Sequence, residues 1–192
     1  MAEPNTRVLD FLRTRRSRPT RLLGLPVPSR DEVGELLTIA ARSPDHGKLE
    51  PWRFLVYDHA ACQTLAEAIG KRGLEAGLRP ERVEMSQNLY RKTHLVIGVV
   101  SSPKPSDGVP ESEQILSAGA VCLALLNGAL AMGYGANWIS GWISHDRPFL
   151  RDTMGLADHE TMAGLVFMGT ATEAPSERPR PDVEALTTWV GA

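Results

Sequence analysis

Cysteine is nearly absent from the 192-residue sequence: Cys62 and Cys122 stand alone, and the five histidines form no HxxxH or CxxC spacing. That pattern suggests no metal site and fits a reducing compartment, so the expected location is the cytoplasm. An excess of either charge is missing too. With 21 basic and 23 acidic side chains the net charge is -2, which speaks against nucleic-acid binding, a function that needs a basic excess. The opening "MAEPNTRVLDFLRTRR" has no apolar core of signal-peptide type, and its acidic residues argue against a transit peptide. Only one long apolar run exists, "ILSAGAVCLALLNGALAM" (115–132), at the lower length limit for crossing a membrane. Ser117, Gly119, Asn127 and Gly128 interrupt it and no aromatic belt flanks it, so the expectation is a buried core helix and no membrane partner.

Catalytic signatures are equally scarce. "MGYGAN" (132–137) has two glycines but follows a helix, which excludes the strand–GxGxxG–helix fingerprint. There is no Walker loop, no GxSxG and no carboxylate pair at a recognisable spacing. If the chain is an enzyme, a bound cofactor carries the difficult chemistry.

Regular elements, by contrast, are easily read. Val8, Phe11 and Leu12 give residues 6–15 a helical period. Ser29 and Glu32 form a capping box for a helix with Val33, Leu36, Leu37, Ala40 and Ala41 on one face, ending before Pro44. Helices are predicted over 60–72, 80–92 (Val83 and Leu89 inward), 115–132 and 147–155. Strands are predicted at 52–58, 94–102, the end of 133–142, and 161–171. The run "HLVIGVVSS" (94–102) is apolar throughout, the mark of a central strand covered on both faces. The alternation implies one three-layer α/β or α+β domain over 1–192, ending in an extended arm at 172–192.

Two basic clusters stand out. Arg13, Arg15, Arg16, Arg18 and Arg21 crowd around Ser17, and Arg178 and Arg180 lie in "ERPRPD". Arginine grips phosphate with a planar fork and a serine hydroxyl adds a hydrogen bond, so the two clusters could converge on one anion. Between the second predicted helix and the first long strand, "RSPDHGKLEPW" (42–52) carries more polar chemistry than a connector needs. His46 there reads as a ligand contact or as a cap of the turn, and Trp52 as core packing, whereas Trp138, in the glycine- and aromatic-rich 133–142, reads as core packing or as part of a site-lining strand.

In order, "RRS" (15–17), the capped helix, "RSPDHGKLEPWRFLV" (42–56), "SAGAVCLALLNGALAMGYGANWISG" (117–141), "GLVFMGTA" and "RPRPD" (178–182) resemble the FMN-dependent nitroreductase family, in particular its small NAD(P)H nitroreductase branch. The resemblance runs from about Arg7 to Trp189. It implies an α+β nitroreductase-like three-layer fold: a central, mostly antiparallel sheet wrapped by helices, in an intertwined homodimer with FMN at the interface and the C-terminal arm packed on the partner. It assigns Arg15, Arg16 and Ser17 to the phosphate and ribityl chain, and Arg178 and Arg180 to the phosphate. It places Trp138, Ile139 and Ser140 along the flavin, and Arg42 and His46 at the FMN held mainly by the other subunit. It implies ping-pong hydride transfer from NADH or NADPH through flavin N5 to a nitro compound, quinone or similar small acceptor, with no catalytic side chain. Another flavin enzyme on the same fold, such as a dehydrogenase or dehalogenase, and a flavin-storing or sensing protein without turnover stay open. The sequence departs from the family at Lys48 and Glu50, where Asn and Gln are usual, at Ile139, where the branch often has Arg, and at Pro19, where a Lys usually faces the flavin pyrimidine edge. Arg21 is the nearest substitute by position.

Overall fold

The computed structural model describes residues 3–191; the ends of the expected 1–192 domain, Met1, Ala2 and Ala192, lie outside them. Helices α1 (Thr6–Thr14), α2 (Arg30–Ala40), α3 (His59–Glu75), α4 (Pro80–Arg91), α5 (Glu111–Ala131) and α6 (Arg147–Asp152) surround a five-stranded sheet of β1 (Leu23–Gly24), β2 (Trp52–Asp58), β3 (Leu95–Ser101), β4 (Gly135–Ile139) and β5 (Thr161–Ala171). β5 is the hub. β3 pairs with its first two-thirds, β4 pairs with Leu165–Gly169, β1 with its last two residues, and β2 flanks β3. Every one of these pairings is antiparallel, so the architecture is the expected α+β one.

Each residue of β3 is buried, as its uninterrupted apolar composition requires of a strand covered on both faces. One face packs on α3, α4 and α6 through Ile69, Tyr90, Phe149 and Phe167. The other packs on α2 and α5 through Leu36, Ile97, Leu125 and Val166. α5 is therefore a core helix: Ala118, Val121, Cys122, Leu125 and Ala129 are fully buried. It begins four residues earlier than its apolar run, because Pro110 sets the N-cap and acidic Glu111 and Glu113 suit the positive end of the helix. Gln114 stays buried by bonding to the backbone of Lys104 and Val109. Both cysteines are buried free thiols, and loss of hydration pushes each up to about 12.

Among the described residues, three apolar surfaces lack cover in the single chain. Val8 and Leu12, read as one face of α1, are about half exposed, and Ala41 lies at the exposed C-cap of α2. Ile115, Leu116 and Leu123 form an open stripe along α5. Val183, Leu186, Trp189 and Val190 stand out from the C-terminal arm.

Candidate functional site

α1 is capped by Arg15, whose N–H closes the last turn on the Phe11 carbonyl. The chain then runs extended past Arg16 and Ser17, and the Arg18 N–H donates to the Ala136 carbonyl at 2.8 Å, which docks this segment on β4. α5 stops in a Schellman motif: Gly133 adopts φ +90°, and the Tyr134 N–H donates to Ala129 O at 3.0 Å. Gly135 follows because a Cβ there would lie 2.6 Å from Leu23 Cδ2 and 2.9 Å from Ala171 Cβ, with Arg18 Cγ next at 3.1 Å, so the close approach of β1 and β5 calls for a glycine.

These elements enclose a cavity of about 400 Å³ lined by Phe11, Arg15, Arg16, Arg18, Tyr134 and Glu173, among others. Three arginines line one small space. Arg15 Nη2 donates to Ser17 Oγ at 3.3 Å, yet its buried Nε has no partner among the described residues. A buried donor left open is costly, so an acceptor is expected there. Tyr134 is fixed from behind: its hydroxyl donates to Glu32 Oε1 at 2.9 Å, while Glu32 Oε2 accepts the Ser29 N–H of the capping box. The backbone and hydroxyl of Ser29, then Tyr134, hold the Glu32 carboxyl below its ordinary range, and that carboxylate in turn raises the Tyr134 phenol.

The C-terminal segment reaches the same place. Arg16 Nη1 donates to Ser176 O at 2.9 Å, and Arg180 Nη2 to Arg13 O at 2.9 Å. Glu177 bridges Arg180 at 2.9 Å and Arg16 at 3.5 Å. The two basic clusters of the sequence thus meet within one chain, Arg178 beside them. Trp138, Ile139 and Ser140 continue β4 away from the rim at Gly135. Trp138 is about one-third exposed, its indole laid over Gly164, where any Cβ would collide with it.

Arg42 and His46 are elsewhere. The turn that carries them is built rather than loose: Asp45 accepts the N–H groups of Leu49 (3.1 Å) and Glu50 (2.8 Å), and Ser117 Oγ donates to Pro44 O while accepting Trp52 Nε1. Lys48 and Glu50, the departures from the family, both hold positive φ, a region that Asn tolerates better than either. His46 Nδ1 lies 2.8 Å from Glu113 Oε2 at the start of α5. The cavity touches α5 at Leu130. Glu113 and Leu130 are separated by about 25 Å of helix. Arg21 is exposed and does not line the cavity, whereas Arg18 of the same basic cluster does; Tyr134, which was not among the expected contacts, lines it too.

Residues 12–170 match the family model described as the nitroreductase family, and the chain belongs to that family. A protein of Haemophilus influenzae named "Putative NAD(P)H nitroreductase" is 34% identical over 167 residues, spanning 86% of this chain and 89% of that protein. The Escherichia coli K12 protein YdjA, of the same description, is 28% identical over 84% of this chain and 87% of its own length. Among solved structures, a nitroreductase-like family protein from Bacillus cereus superposes with TM-score 0.85 at 21% identity, covering both chains completely. A Desulfovibrio desulfuricans protein described as a nitroreductase in complex with FMN gives TM-score 0.73 at 21% identity over 98% of each chain. These two establish the nitroreductase fold.

Proposed function

We propose that the chain is an FMN-dependent NAD(P)H oxidoreductase that works in the cytoplasm as a homodimer. The observation that carries this reading is the buried, unpartnered Arg15 Nε in a cavity walled by two further arginines. The residues fit the phosphate of FMN: three guanidiniums offer planar forks, and Gly133 and Gly135 leave room at the rim. When bound, FMN supplies the hydride relay between NAD(P)H and a nitro compound, quinone or similar small acceptor. In this reading Arg15, Arg16 and Arg18 hold the phosphate, with Arg178 and Arg180 above it. Ser17 orients Arg15, and Trp138, Ile139 and Ser140 line the path along β4. Acid, base and nucleophile are not required of any side chain.

Geometry supports the dimer. One chain cannot bring His46 and Arg42 to its own cavity, because most of α5 lies between them. A two-fold axis pairing the exposed Ile115–Leu116–Leu123 stripe with its copy, helices antiparallel, sets the start of one α5 against the end of the other. The partner's turn then completes the site, and the exposed apolar arm beyond Pro181 gains a surface to cover.

A flavin-holding protein without turnover is the second reading, favoured by Pro19 and by the exposed position of Arg21 away from the cavity. An absorption spectrum of the purified protein, repeated after adding NADPH without air, separates them. Flavin bands that bleach establish a reductase. Flavin that stays oxidised supports the second reading, and failure to take up FMN refutes both.

A further inference from the structure

A carboxylate belonging to the chain itself, Glu177, joins Arg16 of the cavity wall to Arg180 outside it. The segment after β5 contributes Glu173 and Ala174 to the lining and meets Arg16 again at Ser176 and Glu177. Glu177 Oε1 takes the Arg180 guanidinium at 2.9 Å and the Arg178 N–H at 2.9 Å, and it reaches Arg16 Nη1 at 3.5 Å. Arg16 is the most enclosed of these groups, its side chain 22% exposed, and it also lines the cavity. Its Nη1 is anchored independently by the Ser176 carbonyl at 2.9 Å. Only the long contact to Glu177 must break for Arg16 to meet an incoming acceptor.

We propose that Glu177 is a resident anion. In the free protein it occupies the side of Arg16 and Arg180 that a phosphate group takes when bound, and so it sets the affinity of the cavity for phosphate-bearing ligands. The proposal rests on the reading of the cavity as the FMN phosphate site and adds a residue that opposes binding. Two consequences follow from charge alone. A phosphate beside Glu177 suffers like-charge repulsion, which removing the carboxylate relieves. Because Glu177 is 71% exposed, the effect is a modest one that salt screens.

The test is Glu177→Gln, which keeps the length and an acceptor for Arg180 and the Arg178 N–H. FMN affinity is followed by flavin fluorescence at low salt, and inorganic phosphate is titrated calorimetrically in parallel. E177Q is expected to bind both ligands more tightly, by about fivefold for a single screened surface charge, and the gain should close at about 0.5 M sodium chloride. Glu184→Gln, in the exposed arm and outside the cavity lining, with no ion pair to these arginines among the described residues, should gain clearly less. Unchanged or weaker binding by E177Q overturns the proposal, as does an equal gain in E184Q, which would make the effect one of net charge rather than of the Glu177 contact. If the wild type takes up phosphate but no FMN, the flavin reading fails and the phosphate titration alone decides Glu177. If it binds neither, both fail.

Discussion

Replacing Glu160 with Gln isolates one buried charge. The carboxylate is 5% exposed at the end of the turn before β5. Its two oxygens take the Arg53 fork, Nε at 2.8 Å and Nη2 at 2.6 Å, and Oε2 also accepts the Ala157 N–H at 2.9 Å. Arg53 foremost, together with the Ala157 N–H, outweighs the cost of burial and lowers the Glu160 carboxyl from the usual 4.5 to about 2. At about 1.4 kcal/mol per pKa unit, that shift makes the ionised carboxylate a contribution of roughly 3 kcal/mol near pH 7. Because the folded pKa is depressed, the contribution is complete above about pH 4.5 and fades as pH falls toward about 2. Glu160→Gln keeps the shape and removes the charge. Urea unfolding at fixed protein concentration should show a deficit of about 3 kcal/mol at pH 7 that shrinks steadily in acid. A deficit of the same size at pH 7 and pH 3 would refute the electrostatic argument and leave packing as the cause.

Two further outcomes test the site and the assembly. Arg15→Ala removes the guanidinium with the unpartnered buried Nε, and FMN should dissociate more readily by about 1.5–3 kcal/mol; an unchanged dissociation constant by fluorescence would dismiss Arg15 as an anchor. Leu116→Glu puts a charge in the middle of the open α5 stripe, 73% exposed in the single chain; sedimentation should shift from dimer to monomer at micromolar concentration, and a monomeric wild type would refute the pairing itself.

Local chemistry explains what could be read from the chain. The Ser29–Glu32 capping box, the apolar run of β3 and the Pro44 stop each depend on neighbours within a few residues, and each marks its element. The arginine-lined cavity was half legible. Arg15, Arg16, Arg18, Arg178 and Arg180 announce themselves by composition, and the fold joins the two clusters through Arg16, Glu177 and Arg180. Tyr134 did not. A tyrosine after a Schellman glycine looks like ordinary packing until its hydroxyl is found on Glu32, 102 positions earlier. Arg53 and Glu160 are 107 positions apart, and no periodicity encodes such a pair. The α1 face misled for a related reason: Val8 and Leu12 carry a buried-helix pattern, but no described residue of the same chain covers them.

The length of α5 has a genetic corollary under the two-fold arrangement proposed above. With Arg15 at one end of the helix and His46 at the other, a chain mutated at Arg15 and a chain mutated at His46 are damaged in opposite halves of each shared site. Either mutant alone assembles with two defective sites. Mixed together, their heterodimer gathers both lesions into one site and leaves the second intact, so two inactive alleles should restore partial activity to each other.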